Sequence, residues 1–306
     1  MSPQARSFRF RAGVLSSLLL GAMASCAVAG APAAQAQTLS ILHTFTGGGD
    51  GGEPYAGLTI DQAGNLYGTT STGGAGYGTV FKLSHVGTGW ILSTLYTFEG
   101  GNDGATPQAR VVFGPDGTLY GTTSYGGAGY GAVFSLRPPG QPCRSTNCPW
   151  TETVLYRFTG TVDGAIPGYG DLAFDAAGNI YGTTMGGGAN CSPYYHCGVV
   201  FKLSRSGGSW TESVLYSFSP SGNDGLIPDS GVVLGSAGNL YGTTVLGGVD
   251  GGGVVFQLTQ SGSAWTETVL HSFGGSNDGD GPVGGLIMDQ PGKPVRHHRV
   301  RTWLWE

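Results

Sequence analysis

Aspartates followed by glycine recur along the chain and are the residues best placed to do chemistry. A proline follows each pair a few positions later, as Pro107 follows Asp103. A set of carboxylates on one face of a repeat protein would bind a cation or line a polar channel, but Asp-Gly also stabilises tight turns through the aspartate side chain. We favour the turn, and we keep as candidate binding residues Asp50, Asp103, Asp163, Asp224 and Asp278.

The cysteines beyond residue 36 form two close pairs, Cys143 with Cys148 and Cys191 with Cys197. In an exported protein, such pairs form local disulfides. A metal or redox site is the alternative, but neither spacing is C-x-x-C and His196 is the only imidazole nearby. We therefore predict two disulfides and no metal site.

No other pattern predicts catalysis. His43 and His271 occupy a position that Tyr96 and its equivalents hold elsewhere, so we interpret them as packing variants. No nucleophile elbow of the Gly-x-Ser-x-Gly type stands out, and no pair of carboxylates is unique to one repeat. The sequence therefore predicts no catalytic residue and no cofactor.

The composition favours an all-β protein. Glycine supplies 59 of the 306 residues without a Gly-X-Y period, which fits many tight turns. Between residues 37 and 290, seven Lys and Arg stand against 18 Asp and Glu, a net charge of −11. This balance disfavours binding to nucleic acid, which needs a basic face.

Residues 1–36 have the features of a secretory signal peptide. Arg6, Arg9 and Arg11 precede an apolar run over residues 12–31, and Ala34–Ala36 supplies a small-x-small cleavage site. Serines and a glycine interrupt the run, so we predict no transmembrane segment in the mature chain. Lipidation of Cys26, which follows a loose lipoprotein box, is the alternative. The sequence thus predicts a secreted or cell-surface protein, with the periplasm as a further compartment to consider.

A repeated block organises residues 37–292. It reads Gly-Asn-Leu-Tyr-Gly-Thr-Thr at residues 238–244 and recurs with a period of 53 to 61 residues. The other copies are Gly64–Thr70, Gly117–Thr123 and Gly178–Thr184. In all four copies a tryptophan lies eight residues before a closing phenylalanine, as Trp210 lies before Phe218. The constant spacing indicates one structural unit per repeat.

Each unit is predicted to form four short antiparallel strands. In the first repeat they are residues 57–61, 65–70, 79–83 and 90–98. The fourth strand alternates best, and the residues predicted to share one of its faces are Trp210, Glu212, Val214, Tyr216 and Phe218. Stacked four-stranded units are typical of a β-propeller, and an open or solenoid-like β array is the alternative. We predict an all-β, β-propeller-like array of four-stranded antiparallel blades, with four full repeats and a truncated fifth.

The fifth repeat begins on schedule but loses the pattern after Gly292. A basic segment replaces the expected Asn-Leu-Tyr-Gly-Thr-Thr, although its codons can spell that block when read one base out of register. We interpret residues 293–306 as an out-of-frame tail, so His297 and His298 are not taken as metal ligands. At the other end, Ile41–Phe45 matches a fourth strand and is expected to complete the last blade.

The blocks Asn-Leu-Tyr-Gly-Thr-Thr, Gly-Gly-x-Gly-x-Gly-x-Val-Phe and Leu-Tyr-x-Phe resemble the GloVer tandem repeat of exported bacterial proteins, also called choice-of-anchor proteins. The resemblance covers about residues 39–292. It implies an extracellular or cell-surface β-repeat protein and transfers no catalytic residue. The chain departs from the family pattern because it shows no hydrophobic C-terminal anchor.

Two classes of function follow. The first is a non-catalytic surface module that binds a glycan or a protein on its loops. Exposed loop tyrosines would stack on sugars there, and the candidates are Tyr77, Tyr125, Tyr130, Tyr194 and Tyr195. The second is a propeller enzyme, a hydrolase or a lyase, that acts on extracellular polysaccharide. We favour the first, because catalysis usually needs a residue that differs in one blade and the blades are nearly identical.

Overall fold

The computed structural model describes residues 39–140, 150–189, 191, 196–274, 278–289 and 294–296, the last range by its backbone alone. These residues form antiparallel sheets and contain no helix. Within this part of the chain, no helix is long and apolar enough to cross a membrane. The predicted signal peptide, Cys26 and most of the tail lie outside the described residues.

Four sheets have four strands each, and we call them blades 1 to 4. Blade 1 contains β1 (Thr59–Ile60), β2 (Leu66–Thr70), β3 (Thr79–Val86) and β4 (Gly89–Thr97). Blade 2 contains β5 (Val112–Phe113), β6 (Leu119–Thr123), β7 (Ala132–Arg137) and β8 (Thr151–Arg157). Blade 3 contains β9 (Ala173–Phe174), β10 (Ile180–Thr184), β11 (Val199–Ser206) and β12 (Ser209–Ser217). A separate two-stranded ribbon pairs β13 (Gly225–Leu226) with β16 (Leu246–Gly247). Blade 4 contains β14 (Val233–Leu234), β15 (Leu240–Thr244), β17 (Val254–Ser261) and β18 (Ala264–Ser272). The predicted all-β, β-propeller-like fold is confirmed.

An aspartate builds the turn between the first two strands of a blade. Asp175 Oδ1 accepts hydrogen bonds from the amides of Ala177 and Asn179, at 3.0 and 2.9 Å. Its Oδ2 accepts from Asn179 Nδ2 at 2.7 Å and from the Tyr181 hydroxyl at 3.0 Å. The turn and the second strand are therefore fixed by one carboxylate.

The other blades vary this turn. Asp61 makes the same four contacts in blade 1, and Asp116 makes three in blade 2. Blade 4 has Gly235 instead, and there the Tyr241 hydroxyl accepts a hydrogen bond from Gln257 Nε2 at 3.2 Å. Blade 4 thus reaches the same fold without a turn carboxylate.

The hydrophobic core lies between neighbouring blades. At the junction of blades 1 and 2, Tyr67 packs edge-on against Phe113, with 5.2 Å between ring centroids, and tilts against Trp150 at 6.3 Å. Phe98 closes blade 1 and packs on Phe134 of blade 2, with 5.2 Å between centroids. Both phenylalanines are fully buried. A blade therefore buries its faces only by stacking on the next one.

The glycine inside the repeated block permits this packing. Gly68 pairs with Phe81 across the sheet, and a Cβ at Gly68 would lie 2.6 Å from Phe81 Cζ. At Gly182 the same clash with Phe201 would occur at 2.5 Å. Only glycine therefore lets the phenylalanine ring cross the second strand, so the repeated block has a structural role.

A β-bulge corrects the predicted alternation of the fourth strand. Phe201 pairs with Val214, but the preceding Val200 pairs with Tyr216, so Leu215 is an extra residue in β12. The extra residue turns Tyr216 to the opposite face of the sheet. Trp210 packs in the core shared with blade 2, whereas Tyr216 and Phe218 pack in the core shared with blade 4. The prediction that all five alternating residues share one face was wrong for these last two.

The fifth repeat contributes one two-stranded ribbon to the described residues, β19 (Leu286–Met288) with β20 (Pro294–Arg296). Met288 pairs with Pro294 at the position where Ile60 pairs with Leu66 in blade 1. At the other end, the segment Ile41–Phe45 has no strand partner among the described residues. Phe45 nevertheless packs on Phe81, with 5.0 Å between centroids, as Phe98 packs on Phe134.

Candidate functional site

One edge of the blades, here called the loop face, carries the loops between second and third strands and the turns that lead into each blade. Its loops are the described parts of residues 71–78, 124–131, 185–198 and 245–253, and its turns are residues 47–53, 99–106, 159–166 and 219–227. Main-chain hydrogen bonds join successive blades here: Thr106 N donates to Tyr77 O at 2.8 Å, and Ile166 N donates to Tyr130 O at 2.9 Å. The next two junctions repeat this bond, from Ile227 to Cys197 and from Gly281 to Gly252. The same main-chain bond therefore forms whether the accepting residue is a tyrosine, a cysteine or a glycine.

The predicted binding aspartates lie in these turns, each with its own partners. The Asp163 carboxylate accepts hydrogen bonds from the Thr159 amide at 2.8 Å, the Thr159 hydroxyl at 2.6 Å and the Tyr156 hydroxyl at 3.0 Å. Asp103 and Asp224 accept the equivalent tyrosine hydrogen bond, at 3.1 and 3.0 Å. These carboxylates therefore serve as turn caps, each tied to the strand that precedes it.

Histidine takes the place of the tyrosine at the two remaining turns. His43 Nε2 lies 3.1 Å from Asp50, and His271 Nε2 lies 3.0 Å from Asp278. The Thr46 hydroxyl and amide, with His43, hold the pKa of Asp50 below its usual range. Across the described parts of the chain, no group of three or more His, Cys, Asp or Glu is arranged to hold a metal ion.

The backbone of the loop face is strained just before the proline that follows each of the first four Asp-Gly pairs. The residues at this position adopt left-handed φ angles between 55° and 58°, a region that non-glycine residues rarely occupy. They are Glu53, Thr106, Ile166 and Ile227. The carbonyl of Thr106 accepts from the Ser124 amide at 3.1 Å, and its own amide donates to Tyr77. Two main-chain bonds thus hold the strained residue in place.

Exposed tyrosines stand on the loop face next to these turns. Tyr77 and Tyr130 occupy the same position in blades 1 and 2 and are 45% and 46% exposed. A Cβ at Gly100 would lie 2.5 Å from the Tyr77 ring, and one at Gly160 equally close to Tyr130, so each ring rests directly on a glycine. The tyrosines are therefore held flat while part of each ring remains open to solvent.

A cavity of about 430 Å³ adjoins Tyr130 on the loop face of blade 3. Val162, Ile166 and His196 line it together with main-chain atoms of the glycine loop. Its rim includes Cys191, which is bonded to Cys197 with 5.8 Å between their Cα atoms. This predicted disulfide is present, whereas Cys143 and Cys148 lie outside the described residues. Cys197 takes the position of Tyr77 and Tyr130, so a covalent link replaces an aromatic ring in blade 3.

A second set of carboxylates lies between the blades, at the position two residues after the repeated tryptophan. It comprises Glu152, Glu212 and Glu267. Each has a buried Oε1 without a hydrogen-bond partner. Burial, followed by the negative charge of a nearby aspartate such as Asp163 for Glu212, raises the pKa of each of the three to about 7. Blade 1 has Leu92 at this position.

No pattern in the sequence predicted that these glutamates form a set. In the alternation of the fourth strand, Glu212 lies between the apolar residues Trp210 and Val214. A charged residue on an otherwise apolar face of a strand is the signal that could have identified it. Burial and the turn residue Asp163 raise its pKa, and no local pattern in the sequence reveals that they come together.

The family model described as the Gloeobacter/Verrucomicrobia repeat matches residues 31–192 and 144–293. The chain belongs to this family. The resemblance to the GloVer repeat is thereby confirmed. No significant match was found among curated proteins.

Solved structures resemble this repeat protein only distantly. An endo-arabinase from Bacteroides thetaiotaomicron is 15% identical, covers 80% of this chain and 87% of its own, and has a TM-score of 0.41. A protein proposed to be an oxidoreductase (glucose dehydrogenase) from Thermus thermophilus is 19% identical, with coverage of 84% and 78% and a TM-score of 0.42. An ulvan lyase is 13% identical, with coverage of 68% and 52% and a TM-score of 0.39. At these values the similarity carries no argument about the function of this Gloeobacter/Verrucomicrobia repeat protein.

Proposed function

We propose that this protein is an exported, non-catalytic module that binds glycan chains on its loop face. The observation that carries the proposal is the pair Tyr77 and Tyr130, which are equivalent in adjacent blades, rest on glycines and stay half-exposed. Tyrosine offers a large contact area with little loss of conformational entropy, and its hydroxyl adds a polar contact. Because the two rings repeat with the blades, they suit a ligand that also repeats, such as a polysaccharide.

Further features of the loop face support a glycan. Tyr125, 50% exposed, stands beside the same loops, and the cavity next to Tyr130 combines apolar walls with main-chain groups. Such a combination is typical of small-molecule sites. The predicted aspartates are engaged in turn capping, which supports a role in shaping this face rather than in catalysis.

The disulfide Cys191–Cys197 supports export, because disulfides persist in oxidising compartments. We propose that residues 1–36 direct secretion and are removed, with lipidation of Cys26 as the alternative that would hold the protein at a membrane surface. Mass spectrometry of the mature N-terminus distinguishes the two, since cleavage after Ala36 and an acylated Cys26 give different masses.

A second candidate function, an enzyme that acts on polysaccharide, is favoured by one observation. Glu152, Glu212 and Glu267 have pKa values of about 7, the range of a general acid near neutral pH. However, all three lie between blades with one oxygen buried, and their threefold repetition fits packing better than a single active site.

A glycan array with the secreted protein tests the proposal, alongside the double variant Tyr77→Ala/Tyr130→Ala. We expect the wild type to bind one class of polysaccharide and the double variant to lose at least about tenfold in affinity, equivalent to about 1.4 kcal/mol for the lost stacking. The matched control Tyr77→Phe/Tyr130→Phe keeps the rings and should retain most of the binding. Release of reducing ends or unsaturated sugars from any bound polymer would instead establish the enzyme.

A further inference from the structure

A groove of about 550 Å³ runs between blades 2 and 3, at the end of the strands opposite the loop face. We call it the junction groove. It is lined by Tyr120, Ser135, Arg137, Thr153, Arg205 and Trp210. Trp210 is half-buried and Arg205 is exposed, so the groove has an aromatic wall and a charged rim.

Blade 2 departs from its neighbours at one position that lines this groove. In blades 1 and 3, Lys82 and Lys202 pair with the second-strand tyrosine and place their ammonium groups 5.5 and 5.4 Å from its ring centroid. In blade 2 the residue that pairs with Tyr120 is Ser135. The serine side chain is far shorter than lysine, so no ammonium group lies in the part of the groove that Tyr120 and Ser135 line.

Two guanidinium groups border this space. Arg137 is 59% exposed and its nearest acid, Asp116, lies 3.8 Å away. Arg205 forms no ion pair with the described residues. Burial and Asp116 raise the pKa of the Tyr120 phenol, whereas Arg137 and Arg205 lower it. Both guanidinium groups therefore lie close enough to this phenol to act on its charge.

The local charge contrasts with the rest of the repeat region. Residues 37–290 carry a net charge of −11 with only seven basic residues, and two of these seven border the junction groove. Arginine holds carboxylates and sulfates by paired, charge-assisted hydrogen bonds, and aromatic rings hold the apolar faces of sugars. The hydroxyl of Thr153 and the rim of Trp210 complete a surface of this kind.

We propose that the junction groove binds an acidic sugar unit, whose carboxylate or sulfate contacts Arg137 and Arg205 and whose ring packs against Trp210. The site is separate from the tyrosines of the loop face, because it lies at the other end of the same strands. It does not depend on the loop face binding a glycan.

Isothermal titration of the full secreted protein tests the site with three probes: tetragalacturonate, its methyl ester and a sulfated galactan tetrasaccharide. We expect at least one acidic probe to bind, and the affinity of the neutral ester to be at least about tenfold lower. In NMR spectra, the bound acid should shift the indole N–H resonance of Trp210. The acid that binds identifies the preferred group. Failure of both acids, or equal binding of the ester, would overturn the proposal.

Variants separate the groove from general charge. Arg137→Gln and Arg205→Gln should each lower affinity about tenfold. Ser135→Lys should also lower it, although it adds a positive charge, because the lysine will occupy the space over Tyr120. Lys82→Ser is the matched control: it opens the junction of blades 1 and 2, which lacks the two arginines, and should create no new site.

Folding and loop-face binding are monitored separately. All variants should unfold within a few degrees of the wild type, and Tyr77→Ala/Tyr130→Ala should leave binding of the acidic probe unchanged. Unaltered affinity in both arginine variants, or stronger binding by Ser135→Lys, would show that the groove is not the site.

Discussion

Two sets of repeated carboxylates differ in what surrounds them. The turn aspartates Asp61, Asp116 and Asp175 accept three or four hydrogen bonds each, and these outweigh burial and lower their pKa. The inter-blade glutamates Glu152, Glu212 and Glu267 keep a buried oxygen without a partner, and burial raises their pKa to about 7. The same charge therefore stabilises a turn within one blade and destabilises the contact between two blades at neutral pH.

The two sets have opposite pH dependence. A lowered pKa stabilises the fold above the unfolded value, 3.8 for aspartate, and this stability is lost as the pH falls through the folded pKa. A raised pKa stabilises the fold fully below the unfolded value, 4.5 for glutamate, and this contribution is lost as the pH rises through about 7. The protein should therefore be most stable in mildly acidic solution.

The triple variant Glu152→Gln/Glu212→Gln/Glu267→Gln should show the largest effect. One pKa unit corresponds to about 1.4 kcal/mol, and solvent around the half-exposed carboxylates reduces the effect to roughly 1–2 kcal/mol each. We expect the free energy of unfolding at pH 8 to rise by roughly 3–6 kcal/mol, and little gain at pH 4.5, where the glutamates of the folded protein are already protonated. Urea unfolding at both values checks this; an equal gain at both would show that charge is not the cause.

Asp175→Ala should destabilise the protein, because it removes the turn carboxylate of blade 3. Four hydrogen bonds are lost and Asn179 and Tyr181 are left without their acceptor, so we expect a loss of about 2–4 kcal/mol at pH 7. Urea unfolding measures it. As the pH falls through the lowered pKa of Asp175, the variant and the wild type should converge. A cost that stays the same from pH 7 to pH 2 would contradict the proposed role of the charged carboxylate.

Ala237→Asp should have the smallest effect, a slight gain in stability. Ala237 is exposed and corresponds to Asp116 of blade 2, so the variant supplies blade 4 with the turn carboxylate that it lacks. A new charged acceptor for the Asn239 amide and the Tyr241 hydroxyl should add about 0.5–1 kcal/mol. In thermal unfolding this gain should become smaller when Tyr241→Phe removes the hydroxyl; a gain of unchanged size would come from the turn backbone alone.

Local signals made most of the fold predictable. The repeat period, the turn residues and the Trp-to-Phe spacing were enough to predict the four strands of each blade. This is because a hairpin with Asp and Gly at its turn is determined by residues close together in the sequence. The bulge at Phe201 and Val214 escaped, since an extra residue leaves no trace in an apolar alternation. Ser135 shows the same limit for the site: its significance appears only beside Tyr120 and the arginine of the next blade.

The main-chain link on the loop face bears on how such a protein changes during evolution. The carbonyls of Tyr77, Tyr130, Cys197 and Gly252 accept the same bond from the following turn. Because no side-chain atom takes part, the joint between blades is the same where the residue is Tyr77, Tyr130 or Cys197. Mutation can thus change the side chain at this position in one blade without breaking the main-chain link to the next, and each duplicated repeat adds one more position that can vary in this way.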